Sequence, residues 1–133
     1  MIAGLDHVNI ATDRLEETRR FFVQVLGLTE GYRPKFNFPG YWLYLGEHDA
    51  VHLVGVDEGD PDAVQAPSHG PLDHFAFRVT DLNALRERLE AHAVPYRETT
   101  GSDGRPRIFT QDPNGVTVEL DYHAPPPRSA KGR

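Results

Sequence analysis

Four side chains with metal-binding chemistry recur at matching points along this chain. A shift of 67 residues lays Leu5-Asp6-His7 on Leu72-Asp73-His74 and lays Ala50-Val51-His52-Leu53 on Thr117-Val118-Glu119-Leu120. His7 and His52 are 45 residues apart, and so are His74 and Glu119. A fixed period marks duplicated supersecondary units. Neutral imidazole and carboxylate suit borderline or hard divalent ions, and two His with one carboxylate is a donor set used by non-haem iron centres. The repeat suggests that His7, His74 and Glu119 hold one divalent metal ion (Fe, Ni, Zn, Mn or Co). His52 is then either a fourth ligand or an acid–base group beside it. A lone strand histidine is more often hydrogen-bonded or surface-exposed than a ligand; the coincidence of four equivalent points favours the metal. His48, His69, His92 and His123 fall in loops or at element ends and read as solvated.

The elements around these residues repeat as well. Residues 5–11 alternate as a strand does, with His7 and Asn9 on one face and Val8 and Ile10 on the other. Asp13 with Glu16 three positions on resembles a capping box. Leu15, Phe22, Val25 and Leu26 follow at helical spacing, and Gly27 suits a left-handed stop. Residues 28–33, 41–45 and 50–56 read as strands, the last two joined by a turn at 46–49. The order is β-α-β-β-β. Residues 57–71, acidic and rich in Gly and Pro, read as a linker. The second half starts with a strand at 72–79. Asp81 is its N-cap, and Leu82, Leu85 and Leu89 form a helical stripe. Strands follow at 95–99, 105–111 and 116–122, with Asp112-Pro113-Asn114-Gly115 as a turn. The expectation is an α+β chain with a single domain at 1–122, made of module one at 1–56 and module two at 72–122. A disordered tail occupies 123–133.

Alternation places His7 and Asn9, His52, His74 and Arg78, and Thr117, Glu119 and Asp121 on polar faces. The apolar faces are left to pack on helices, and a polar, His-bearing sheet face implies a concave pocket. Asn9, Arg78, Trp42 and Tyr44 are the candidates for substrate contact, Arg78 through an anionic group and the aromatics as pocket wall. The face of Arg107 is not settled by alternation. A length of 133 residues fits one domain. A net charge of −6 with no basic stripe argues against a nucleic-acid partner. The absence of cysteine excludes disulfides and thiolate chemistry. No apolar run approaches the roughly 20 residues of a membrane span, and strand pattern begins too early for a signal peptide. The chain is expected in the cytoplasm, with a small-molecule substrate and no membrane partner.

Several motifs together resemble the vicinal oxygen chelate superfamily, the group of glyoxalases, bleomycin-resistance proteins and type I extradiol dioxygenases. They are Leu-Asp-His-Val-Asn-Ile from Leu5, Phe21-Phe22 through Val25-Leu26-Gly27-Leu28, Asp73-His74-Phe75-Ala76-Phe77, and Asp112-Pro113-Asn114-Gly115 leading to Val118-Glu119-Leu120. The resemblance spans residues 4–122. It implies two βαβββ modules forming an eight-stranded, incompletely closed barrel around a divalent metal, usually in a homodimer. It carries the metal positions onto His7, His52, His74 and Glu119. Glyoxalase-like lyases usually place a carboxylate or Gln where this chain has His52. The chemistry implied is binding of adjacent substrate oxygens at a Lewis-acidic metal. Glu119 would move the proton in a lyase or isomerase. An Fe(II) ring-cleaving dioxygenase using His7, His74 and Glu119 is the alternative, and a non-catalytic drug-binding resistance protein is the second.

Overall fold

A computed structural model describes residues 1–56, 71–72 and 74–125. The chain divides into two compact units: residues 1–73 with the turn 111–116, and residues 74–110 with 117–133. Of the expected linker and tail, residues 57–70 and 126–133 lie outside the described residues.

In the first unit the elements run β1 (Val8–Thr12), α1 (Leu15–Arg20), β2 (Thr29–Gly31), β3 (Gly40–Leu45) and β4 (His48–Gly55). They form a four-stranded sheet of order β1-β4-β3-β2. β1 lies parallel to β4 and the other neighbours are antiparallel. Phe21–Val25 continues α1 as a π-helical turn. That wider turn brings Phe21, Phe22 and Val25 into the core with Ile10, Leu43, Val51 and Leu53. Each such side chain contributes about 1.5–3 kcal/mol by leaving water. Gly27, at φ 84, ends the helix in the left-handed conformation expected of it.

Two local expectations fail for identifiable reasons. The strand begins at Val8 rather than residue 5, because the carbonyl of Asp6 accepts from the His48 side chain instead of joining a ladder. The Asp13–Glu16 capping box does not form. Arg14 is the N-cap; its N–H goes to Thr12 Oγ1 at 2.8 Å, and its carbonyl accepts from Thr18 Oγ1 at 2.7 Å. Glu16 is taken instead by Arg19 at 3.0 Å and by the Tyr41 hydroxyl.

The second unit repeats the plan: β5 (His74–Val79), α2 (Leu82–Ala91), β6 (Tyr96–Thr100), β7 (Pro106–Gln111) and β8 (Thr117–Tyr122). Its order is β5-β8-β7-β6, with β5 parallel to β8. Leu82, Leu85 and Leu89 on α2 are buried together with Ile108, Val118 and Leu120 from the sheet. Asp81 caps α2, accepting from the Ala84 N–H at 3.0 Å. Each unit is thus one βαβββ module, and the α+β reading holds. The Asp112–Gly115 turn forms as expected. The buried Asp112 carboxylate accepts from the N–H groups of Asn114 at 2.9 Å and Val116 at 2.8 Å. Among the described residues no helix is long and apolar enough to cross a membrane.

Candidate metal centre

In the first unit β4 alternates, burying Val51 and Leu53 and turning His52 to the opposite face. Register sets Asn9 of β1 and Trp42 of β3 as the neighbours of His52. His7, one residue before β1, stacks on His52 with ring centroids 3.8 Å apart. Trp42 also stacks on His52, at 4.1 Å and 5° between planes. The His52 side chain is only 12% exposed. Each imidazole has a carboxylate on one nitrogen. Asp49 Oδ2 is 2.6 Å from His52 Nε2, and Asp6 Oδ1 is 2.8 Å from His7 Nδ1. The bond from His52 holds the Asp49 carboxyl below the ordinary carboxylate range. A carboxylate that takes one ring N–H leaves the other nitrogen with its lone pair; metal-ligating histidines are fixed in this way.

In the second unit Val118 and Leu120 are buried, and Thr117, Glu119 and Asp121 take the other face of β8. Glu119 Oε2 is 3.8 Å from His74 Nε2, and its Oε1 is 3.8 Å from Arg107 Nη1. Arg107 also approaches Asp121 at 3.7 Å and Asp103 at 3.6 Å. Arg107 Nε and Asp121 Oδ1 are buried without a hydrogen-bond partner, so this ion cluster carries an unmet cost. His74 and Phe109 meet edge to face with centroids 6.0 Å apart, and Arg97 lies over the Phe109 ring at 4.7 Å.

The expected residues therefore come together as two pairs, His7 with His52 and His74 with Glu119. Among the described residues no group of three or more His, Asp or Glu is gathered to hold a metal. Imidazole nitrogen and carboxylate oxygen, the donor types in these pairs, are ones that a divalent ion takes. Two ligands each about 2.1 Å from one ion stand at most about 4.2 Å apart, and the His74–Glu119 separation of 3.8 Å is within that span. Of the other candidates, Asn9 shares the His52 face, and Arg78 is exposed on β5 with Asp121 as its register partner. The Tyr44 hydroxyl donates to the Tyr32 carbonyl at 2.5 Å.

Three residues of the site escaped the sequence reading. Arg107 belongs to the face of Glu119, as the burial of Ile108 and Thr110 on either side of Phe109 shows. Asp49 reaches His52 because the β3–β4 register shifts between Leu43 and Leu45, which upsets simple alternation at that hairpin. His123 is not merely solvated: its N–H donates to the Val79 carbonyl at 3.0 Å, and Nδ1 lies 2.8 Å from Arg105 Nη1.

Residues 4–120 match the family model of the Glyoxalase/Bleomycin resistance protein/Dioxygenase superfamily. The chain belongs to that superfamily. It is 24% identical over 123 residues to Glyoxylase I 4 of Arabidopsis thaliana, covering 90% of this chain and 70% of that protein. It is 28% identical to the glutathione transferase FosA of Serratia marcescens, over 90% of this chain and 81% of that one. The same fold is seen in a glyoxylase/bleomycin resistance protein/dioxygenase domain from Frankia sp. EAN1pec, at TM-score 0.73 and 19% identity, covering 92% of this chain and 98% of that one. This superfamily member thus carries a duplicated module with an imidazole-bearing pair in each copy.

Proposed function

We propose that this superfamily member is a metal-dependent enzyme of lyase or isomerase type, acting on a small molecule through adjacent oxygens. His7, His74 and Glu119 are the proposed ligands, with His52 as the fourth. The carrying observation is the carboxylate-fixed imidazole pair, His7 with Asp6 and His52 with Asp49. The relatives support an enzymatic reading, since a glyoxylase and a glutathione transferase are both named for catalysis.

When bound, a divalent cation supplies Lewis-acid stabilisation for the negative charge that develops on a substrate oxygen. The chain's own residues do the rest. Asp6 and Asp49 set the tautomers of the two imidazoles. The Glu119 carboxylate, 12% exposed, is the group that takes and returns the substrate proton at an Oε atom. Arg107 Nη1, 3.8 Å from Oε1, holds that side of the carboxylate in place. Trp42, stacked flat on His52, limits water on that face of the ring.

Trp42 is the sole tryptophan and lies against His52, so its emission reports events at that ring. Titration with Ni(II), Co(II) or Zn(II) is expected to change the emission saturably, at one ion per chain. No change, together with no ion retained after gel filtration, refutes the metal reading. Glu119→Gln is expected to lower turnover by two to four powers of ten, roughly the span of general acid–base catalysis. Unchanged turnover with the ion still bound excludes Glu119 as the base.

A further inference from the structure

From the geometry of the first unit we infer that the substrate carries a planar aromatic group, received by Phe36 and Phe38 at the outer end of a ring column that runs through Trp42 to the His7–His52 pair. The inference rests on the proposed function, which puts the substrate's oxygens at those imidazoles. A continuous column of rings leads there. Phe38 stacks on Phe36 at 5.0 Å, Phe36 meets Trp42 at 6.3 Å, Trp42 lies flat on His52 at 4.1 Å, and His52 lies on His7 at 3.8 Å. The outer two rings are unlike a buried core. Phe36 is 43% exposed and Phe38 41%.

Nor are they loose surface residues. Arg33 staples them, with its guanidinium carbon 4.8 Å from the Phe36 centroid and 5.1 Å from that of Phe38. The same side chain donates from Nη2 to the Phe38 carbonyl at 3.1 Å. It does so while its Nε stays buried without a hydrogen-bond partner. The loop thus holds two half-exposed rings in one arrangement against a desolvation cost. Exposed apolar surface held in one arrangement is a mark of binding surfaces, and the link through Trp42 to the imidazole pair assigns this one to the substrate. Rings prefer offset-stacked or edge-on aromatic partners, which favours a planar unsaturated group over an aliphatic chain.

Mandelate and lactate form a matched pair of probes, since both present a hydroxyl next to a carboxylate and differ in phenyl against methyl. Binding to the Ni(II)-loaded protein is read by calorimetry and by Trp42 emission. The expected result is about tenfold tighter binding of mandelate. In Phe36→Ala/Phe38→Ala the ratio should fall to near one. In Phe36→Leu/Phe38→Leu, which keeps apolar bulk and guards against misfolding, it should fall at least threefold. Equal affinities in the wild type, or a ratio that survives both double variants, overturns the inference and leaves the metal reading standing. If no ion binds, the proposed function fails separately, and the same probes on the metal-free protein still test the ring preference. A wild-type dimer that becomes a monomer in both double variants assigns the rings to self-association and also overturns the inference.

Discussion

Replacing Asn114 by Ala tests how the first unit holds the Asp112–Gly115 turn. The Asn114 side chain accepts from Thr12 Oγ1 at 2.5 Å and donates from Nδ2 to Thr18 Oγ1 at 3.0 Å and Asp112 Oδ2 at 2.9 Å. Thr12, Thr18 and Asp112 are all buried, at 3%, 0% and 4% exposure. A neutral hydrogen bond contributes about 1 kcal/mol net, and one to a charged group about 1.5–3 kcal/mol. The two threonines are not orphaned by the change. They keep each other at 3.4 Å and keep the Arg14 backbone. Asp112 retains two backbone donors on Oδ1 but loses the amide facing Oδ2. Water entering the vacated space recovers part of this, so the expected loss is about 2–4 kcal/mol. At about 4 °C per kcal/mol for a chain of this size, the melting point should fall by roughly 8–16 °C.

Trp42 lies in the same unit, so urea unfolding followed by its emission reads the affected part of the chain. Asn114→Asp sharpens the test. It keeps an acceptor for Thr12 but sets a second carboxylate against Asp112, and should cost at least as much as Ala. A midpoint within 0.5 kcal/mol of wild type for Asn114→Ala, on the scale of an ordinary surface substitution, would refute the clamp.

Asp49→Ala removes the carboxylate that fixes the His52 ring and should weaken Ni(II) binding by about 10–100-fold, as loss of such partners commonly does. Competition with a chromophoric chelator measures it, and an unchanged affinity would show that Asp49 does not orient a ligand. Acid stability gives a further check on Glu98. The bond from Arg86 holds this carboxyl below its ordinary 4.5. Its contribution is therefore complete above pH 4.5 and lost as the pH falls through the folded-state value. Glu98→Gln should narrow its stability gap to wild type below pH 4.5, and a gap that widens there contradicts the sign.

Periodicity carried most of the fold. Leu82, Leu85 and Leu89 at helical spacing, Gly27 and the Asp81 cap all sit where local rules put them, since propensity and burial agree there. The misses lie where side chains compete for backbone groups. His48 draws Asp6 out of the ladder, and Thr12 and Thr18 bond the backbone of Arg14, the N-cap, where Asp13 and Glu16 were expected to form a capping box. At the site, alternation found the face of His52 and of Glu119. It could not find Asp49, which depends on a shifted hairpin register, nor Arg107, whose strand boundary decided its face.

The same 67-residue shift shows how one plan came to bear two chemistries. It lays Trp42 on Phe109 and Gly40 on Arg107. In both units the aromatic position meets an imidazole: Trp42 stacks on His52, and Phe109 turns its ring towards His74. The Gly40 position diverges. A Cβ at Gly40 would stand 3.1 Å from Arg33 Cζ and would press on the Leu53 carbonyl, so the first unit has no room for a side chain there. Its Arg33 is committed to the Phe36–Phe38 loop instead. In the second unit the equivalent place is filled by Arg107, which reaches the Glu119 carboxylate. The partner of His52 in the repeat is that glutamate, and a largely buried carboxylate needs a cation where an imidazole does not. Substituting Glu for His at one point of the duplicated module therefore goes with substituting Arg for Gly at another. The first copy is left free to present rings, and the second is built to hold a charge.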